Sequence, residues 1–213
     1  MNCTISSLHY CPVKSVSFQT IDSCEIKKNI GIVGDRNFAF SKDLDTNKAK
    51  LFEKSPEERK GKWNKILTLK NSPVLNKYNF LFKNDNLTLT FEDKKVLTID
   101  INENSERQKL VKKIIELESS LKEPIVLMRN KEFPFFDTSV SKKVDFVNSV
   151  SLLNIQSIND FQDKIDKNIE ISRFRGNIYV DGIKAWEERN WIGKIIKINN
   201  ISFKVEKNIP RCV

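Results

Sequence analysis

Hydrophobic residues in the first hundred positions recur at roughly every second place. The segments CTISSLHY (3–10), FQTIDSCEI (18–26), RNFAFS (36–41), KILTLK (65–70), YNFLF (78–82), LTLTF (87–91) and KVLTID (95–100) are short and rich in β-branched and aromatic side chains. Such alternation predicts strands with one buried face. Gly31, Gly34, Asn71-Ser72-Pro73 and Asn84-Asp85-Asn86 punctuate them with turn chemistry. Many short strands joined by close turns predict a closed or strongly curved antiparallel sheet.

The period then changes. NSERQKLVKKIIELESSLKEP (104–124) places Leu110, Val111, Ile114, Ile115, Leu117 and Leu121 at helical spacing, with Asn104 or Ser105 as the cap and Pro124 beyond the end. IVLMR (125–129) reads as a strand, and FPFFDTS (133–139) as a loop whose aromatics plug the core. SLLNIQSINDFQDKI (151–165) is a second helix candidate, opened by Ser149 or Ser151, and NIYVDG (177–182) is a strand and turn. KIIKINNISFKVEK (194–207) sets apolar positions on both sides of Asn199-Asn200, a hairpin signal. The expected class is β-rich α+β with two or three packed helices. No linker or repeat interrupts it, and a boundary near residue 120 divides it into 1–120 and 121–213.

Composition narrows the function classes. At 39% hydrophobic and 31% charged, the chain is that of a water-soluble globular protein. No apolar run approaches the roughly 18 residues that span a bilayer. The N-terminus lacks a basic segment followed by an apolar stretch, so a cytoplasmic location without a membrane partner is expected. The net charge of +9 comes from 29 lysines spread over the whole chain against 8 arginines. That is a solvated basic surface rather than a nucleic-acid stripe. Cys3, Cys11, Cys24 and Cys212 show no CxxC spacing, which leaves zinc and a disulfide framework unsupported. The first three lie in strand-like surroundings and read as small buried hydrophobes. His9, the single histidine, reads as structural, so no histidine-based catalysis is expected.

The scarce arginines carry more information, because only a guanidinium clamps an oxyanion with two parallel hydrogen bonds. Arg36, Arg173, Arg175 and Arg211 fall in three short segments, GIVGDRNFAF, RFRGNIYVDG and IPRCV. Each has a bland alternative: Asp35-Arg36 as a surface ion pair, Arg173 and Arg175 as strand braces on Glu187 or Glu188, and Lys14-Ser15 as a solvated turn.

Taken in order, LHYCPVKS, GIVGDRNFAF, RFRGNIYVDG with WEERNWIGK, and IPRC resemble the MOSC family, named for the molybdenum cofactor sulfurase C-terminal domain. Members similar in layout carry an added N-terminal β-barrel domain. The resemblance implies a barrel-like antiparallel architecture, with the N-terminal barrel over 1–120 and the MOSC domain over 121–213. It also implies a molybdopterin-type molybdenum cofactor. Carried over by motif, Lys14, Ser15, Arg36, Arg175, Asn177 and Arg211 hold the cofactor, and Cys212 ligates the metal. Asn154 and Ser157 match polar positions on the preceding helix more loosely. A soft thiolate next to a cation suits a high-valent molybdenum bound to dithiolene sulfurs.

Two departures stand out. Gly176 replaces the usual proline of the RFRPN motif, a place where any small residue is expected to serve. The family also continues past the RC pair into a Thr-containing loop, a helix and closing strands, so a truncated or partial chain is expected. Relatives of this layout imply an oxidoreductase acting on a small N-hydroxylated substrate. With no iron–sulfur cysteine set, it would need an external flavin, haem or iron–sulfur electron donor. The alternative is a sulfur carrier using a Cys212 persulfide, and a non-catalytic basic binding module ranks last.

Overall fold

The alternating segments become strands, though several are shorter than they read. A computed structural model describes residues 3–16, 18–28, 30–136 and 149–209. In chain order its elements are β1 (Thr4–Tyr10), β2 (Gln19–Ile21), β3 (Ile26–Lys27), β4 (Gly31–Ile32), β5 (Phe38–Phe40) and α1 (Thr46–Lys54). Then come β6 (Tyr78–Lys83), β7 (Asn86–Phe91), β8 (Lys94–Asp100), α2 (Asn104–Leu117) and β9 (Leu127–Arg129). The last are β10 (Leu152–Asn154), α3 (Ile155–Ile165), β11 (Ile178–Asp181), β12 (Ile195–Ile198) and β13 (Ile201–Lys204). The chain divides into two compact units.

The larger unit comprises Tyr10–Gln19 and Cys24–Ser149. Its centre is the antiparallel meander β6-β7-β8, in which Phe80 faces Leu89 and Leu87 faces Ile99. All four side chains are buried, and α2 lays Leu110, Val111 and Ile114 into the same core. Each such burial contributes about 1.5–3 kcal/mol, so this cluster is what holds the unit together. A second cluster forms where α1 sets Ala49 and Phe52 with Ile66, Met128 and Phe135. β5 pairs antiparallel with β9, Phe38 facing Arg129 and Phe40 facing Leu127.

The smaller unit comprises Met1–His9, Thr20–Ser23 and Val150–Val213. Its four-stranded sheet runs β10-β11-β1-β2. β10 and β11 are parallel, so the chain between them must cross over, and α3 lies in that connection. β1 pairs antiparallel with β11, with a register shift between Ile5 and Ser7. Ile178, Val180 and Ile183 form its core. β12 and β13 make the expected hairpin through a two-residue turn, Ile198 facing Ile201, with Asn199 at φ 51°.

Among the described residues this is a mixed α/β protein with three α-helices and mostly antiparallel strands. The expected barrel is not found there: the strands form separate sheets of four, three and, three times, two strands, and none closes on itself. Several local expectations are also corrected. KILTLK is not a strand, because Ile66 and Leu67 are both buried rather than alternating. A single bridge ties Ile66 to Ser41, and Asn71 then turns the chain by accepting from the Thr68 amide and donating to the Ile66 carbonyl. The helix α1 went unread, and Asp45 caps it by accepting from the Asn47 and Lys48 amides. Asn104 is the first residue of α2 rather than its cap. α3 is capped by Asn154, not by Ser149 or Ser151, because residues 152–154 are drawn into the sheet. Cys11 is buried as expected, whereas Cys3 is exposed and Cys24 half-buried. No described helix is long and apolar enough to cross a membrane.

Candidate functional site

In the larger unit the CPVKS and GDRN segments are laced to one another. The Arg36 amide donates to the Cys11 carbonyl (2.6 Å), the Phe38 amide to Pro12 (3.0 Å) and the Lys14 amide to Phe38 (2.7 Å). The Cys11 thiol closes the intervening turn by donating to the carbonyls of Val13 (2.8 Å) and Val16 (3.3 Å). Asp35 is the hub. Only 1% exposed, its carboxylate accepts from the Cys11 amide at 2.7 Å and pairs with Arg36 Nη1. This is no surface ion pair, in contrast to the bland reading of the sequence.

The Arg36 guanidinium carbon lies 5.1 Å from the Phe18 ring centroid and 4.7 Å from that of Phe136. Such contacts suit the weakly hydrated, planar guanidinium. The Lys14 ammonium stands 5.0 Å from the Trp63 ring, and Lys14 is buried rather than on a solvated turn. Beside them, Asn37 Oδ1 is buried with no hydrogen-bond partner among the described residues.

Backbone geometry sets the motif residues apart. Eleven described non-glycine residues have positive φ, and seven of them are Asn, Asp or Glu. The other four are Ser15 (64°), Arg36 (53°), Arg175 (51°) and Trp186 (68°), and three of these are predicted cofactor residues. A left-handed conformation without glycine costs on the order of 1–3 kcal/mol, so the surrounding structure must impose it.

In the smaller unit the predicted polar residues are buried and heavily bonded. Asn177 takes two hydrogen bonds on Oδ1, from the Ser151 amide (3.2 Å) and hydroxyl (2.8 Å), and donates Nδ2 to the His9 carbonyl (3.1 Å). Asn154 accepts from the Gln156 amide and donates to the Lys184 carbonyl and to Glu188. Ser157 donates to Glu188 and accepts from the Trp186 amide at 2.7 Å. Glu188, an alternative brace for Arg173 or Arg175 on the sequence alone, joins Asn154 and Ser157. His9 is structural, edge-on to Tyr179 at 4.9 Å and bonded to Ser7.

Arg175 ends the 3₁₀ turn Ile171–Phe174, and Gly176 follows it. The Gly176 amide donates to the Tyr179 hydroxyl, and an added Cβ would come within 2.5 Å of Leu153 Cδ1 and 3.0 Å of Leu153 Cγ. An alanine Cβ therefore fits only if the end of the Leu153 side chain moves aside. Gly176→Ala should lower stability by about 1 kcal/mol, the low end for overpacking because the Leu153 side chain can yield, read as a slightly earlier urea midpoint at unchanged slope.

A shallow depression in this unit is lined by Gln156, Asp160, Asp163 and Lys184. Hydrogen bonds from Lys164 and then from the Trp186 indole hold the Asp160 carboxyl below the usual carboxylate range, which makes the depression a poor anion site. Among the described residues no three His, Cys, Asp or Glu converge as a metal site. Arg211, an expected cofactor residue, and Cys212, the expected metal ligand, lie outside the described residues.

Comparison with known proteins agrees with the order of the motifs. The MOSC N-terminal beta barrel domain matches residues 2–123 and the MOSC domain residues 144–213. Mitochondrial amidoxime reducing component 2 of Bos taurus is 28% identical over 101 residues, which cover 47% of this chain and 29% of that relative.

Proposed function

Because this chain belongs to the MOSC family, we propose that it binds a molybdopterin-type molybdenum cofactor and reduces N-hydroxylated small molecules, taking electrons from an external donor protein. The observation that carries this reading is the left-handed backbone of Ser15, Arg36 and Arg175. Strain of this kind persists where the fold over-determines a conformation and gathers at ligand sites.

The donor chemistry fits such a group. Arg36 has one Nη engaged by Asp35 and retains further N–H donors for a phosphate. Lys14 adds a second cation, and Ser15 a hydroxyl. The buried, unpartnered Asn37 Oδ1 is an acceptor suited to the N–H groups of a pterin. Arg175 supplies a further guanidinium; Asn177 fixes the backbone two residues beyond it, while Asn154 and Ser157 fix the turn at Lys184, Trp186 and Glu188. Cys212 would give the protein thiolate to the metal, its ionisation favoured by Arg211. When bound, the cofactor supplies the two-electron redox chemistry; the protein's part is to orient it.

The relative's name concerns amidoxime reduction by that protein, and it motivates the substrate class here. Metal analysis of the purified full chain tests the cofactor assignment. Wild type should carry molybdenum, and Cys212→Ser should carry little. Equal metal in both would remove Cys212 from the ligand set.

A further inference from the structure

Arg59 is 2% exposed and makes no ion pair among the described residues. Instead its guanidinium donates to main-chain carbonyls on two separate segments. Nε reaches Phe52 (2.6 Å) and Nη2 reaches Glu53 (3.2 Å), both at the end of α1. Nη1 reaches Phe133 (2.7 Å) and Pro134 (3.4 Å). Its guanidinium carbon also lies 4.0 Å from the Phe135 ring centroid. A lysine ammonium is a single point and could not span these acceptors, whereas the rigid guanidinium fork does.

The segment it holds runs directly to Arg36. The Phe135 amide donates to the Arg36 carbonyl (2.8 Å), the Asn130 amide to the Asn37 carbonyl (2.9 Å), and the Phe136 ring lies against the Arg36 guanidinium. Burying a cation against neutral carbonyls is an expensive way to hold a loop. Its geometry is specific to this strap, in a chain that uses arginine sparingly.

We propose that Arg59 is a positioning residue for Arg36: it clamps residues 133–136, whose backbone and aromatic ring set the conformation in which Arg36 meets an anionic group. The inference rests on the reading that Arg36 binds the cofactor, and two measurements on the full chain separate the two. The first is the Arg36 Nε–H resonance in the cofactor-free protein, which the Phe18 and Phe136 rings make sensitive to position. The second is the affinity for isolated molybdenum cofactor. Arg59→Lys should shift the resonance and weaken binding by up to about a hundredfold, the scale on which an ångström of misplacement is felt. Leu89→Ala, a buried meander residue, serves as a control for destabilisation alone and should move neither.

An unmoved Arg36 resonance in Arg59→Lys overturns the positioning role whatever the cofactor does. A shifted resonance with unchanged affinity overturns it too, provided Arg36→Lys itself weakens binding. If Arg36→Lys binds as tightly as wild type, the reading of Arg36 as a cofactor residue fails, and the inference falls with it. Should Arg59→Lys not fold, Phe135→Leu removes the ring beneath the guanidinium, keeps an apolar side chain there, and is read in the same two ways.

Discussion

Asp35→Ala should lower the stability of the larger unit by roughly 3 kcal/mol, the lower end of about 3–5 kcal/mol for breaking a buried ion pair. Among the described residues two groups lose their acceptor at once: the Cys11 amide and the Arg36 guanidinium. The Arg36 side chain is 17% exposed and can recover part of its hydration, which is why the lower end applies. Asp35→Asn keeps an acceptor for the amide and loses only the charge, so its cost should be clearly smaller. Denaturant midpoints of the two variants check this. A loss below about 1 kcal/mol for the alanine variant would return the pair to the class of solvated surface bridges.

The second large effect belongs to the smaller unit. Asn177→Leu removes the acceptor for two Ser151 donors and the donor to the His9 carbonyl. A buried group left unsatisfied costs about 1–3 kcal/mol, so a loss of 3 kcal/mol or more is expected. Hydrogen exchange localises it: β1 and β11 amides should lose protection while β6–β8 keep theirs. A residue serving chiefly as a cofactor donor would behave differently, leaving cofactor-free stability intact and lowering affinity alone.

Residues with strong periodicity and local turn chemistry were legible in the sequence. β6, β7, β8, α2 and the β12–β13 hairpin follow from alternation, helical spacing and Asn199-Asn200. KILTLK misled because apolar density resembles alternation when two neighbours are buried together on one irregular turn. α1 was missed since only Ala49 and Phe52 of its nine residues are buried, although Asp45 ahead of it was a capping signal. The barrel expectation came from family resemblance and from strand count, and neither determines whether sheet edges meet.

At the candidate site, motif order singled out Lys14, Ser15, Arg36 and Arg175, but it did not reveal the burial of Asp35 and Lys14. Asp35, Glu188 and Arg59 act through burial and long-range partners, which sequence separation hides. For Arg59 a usable signal existed. Arginine is scarce throughout this chain, and the one in EERKGK stands apart from the motif segments among lysines that could have served as surface charge.

The placement of β1 in the smaller unit's sheet bears on how the protein is made. Thr4 pairs with Asp181 and Leu8 with Ile178, so β1 meets β11, one of its two neighbours, only after about 170 further residues have been made. Almost all of the larger unit is synthesised in between, and its local meander needs no such delay. β1 therefore waits during translation with one edge open, its other edge covered by the nearby β2. It lies between β11 and β2 in the finished sheet, so residues 150–213 alone lack an interior strand. The two halves of this sheet constitute a natural split protein, joined by the larger unit as a tether.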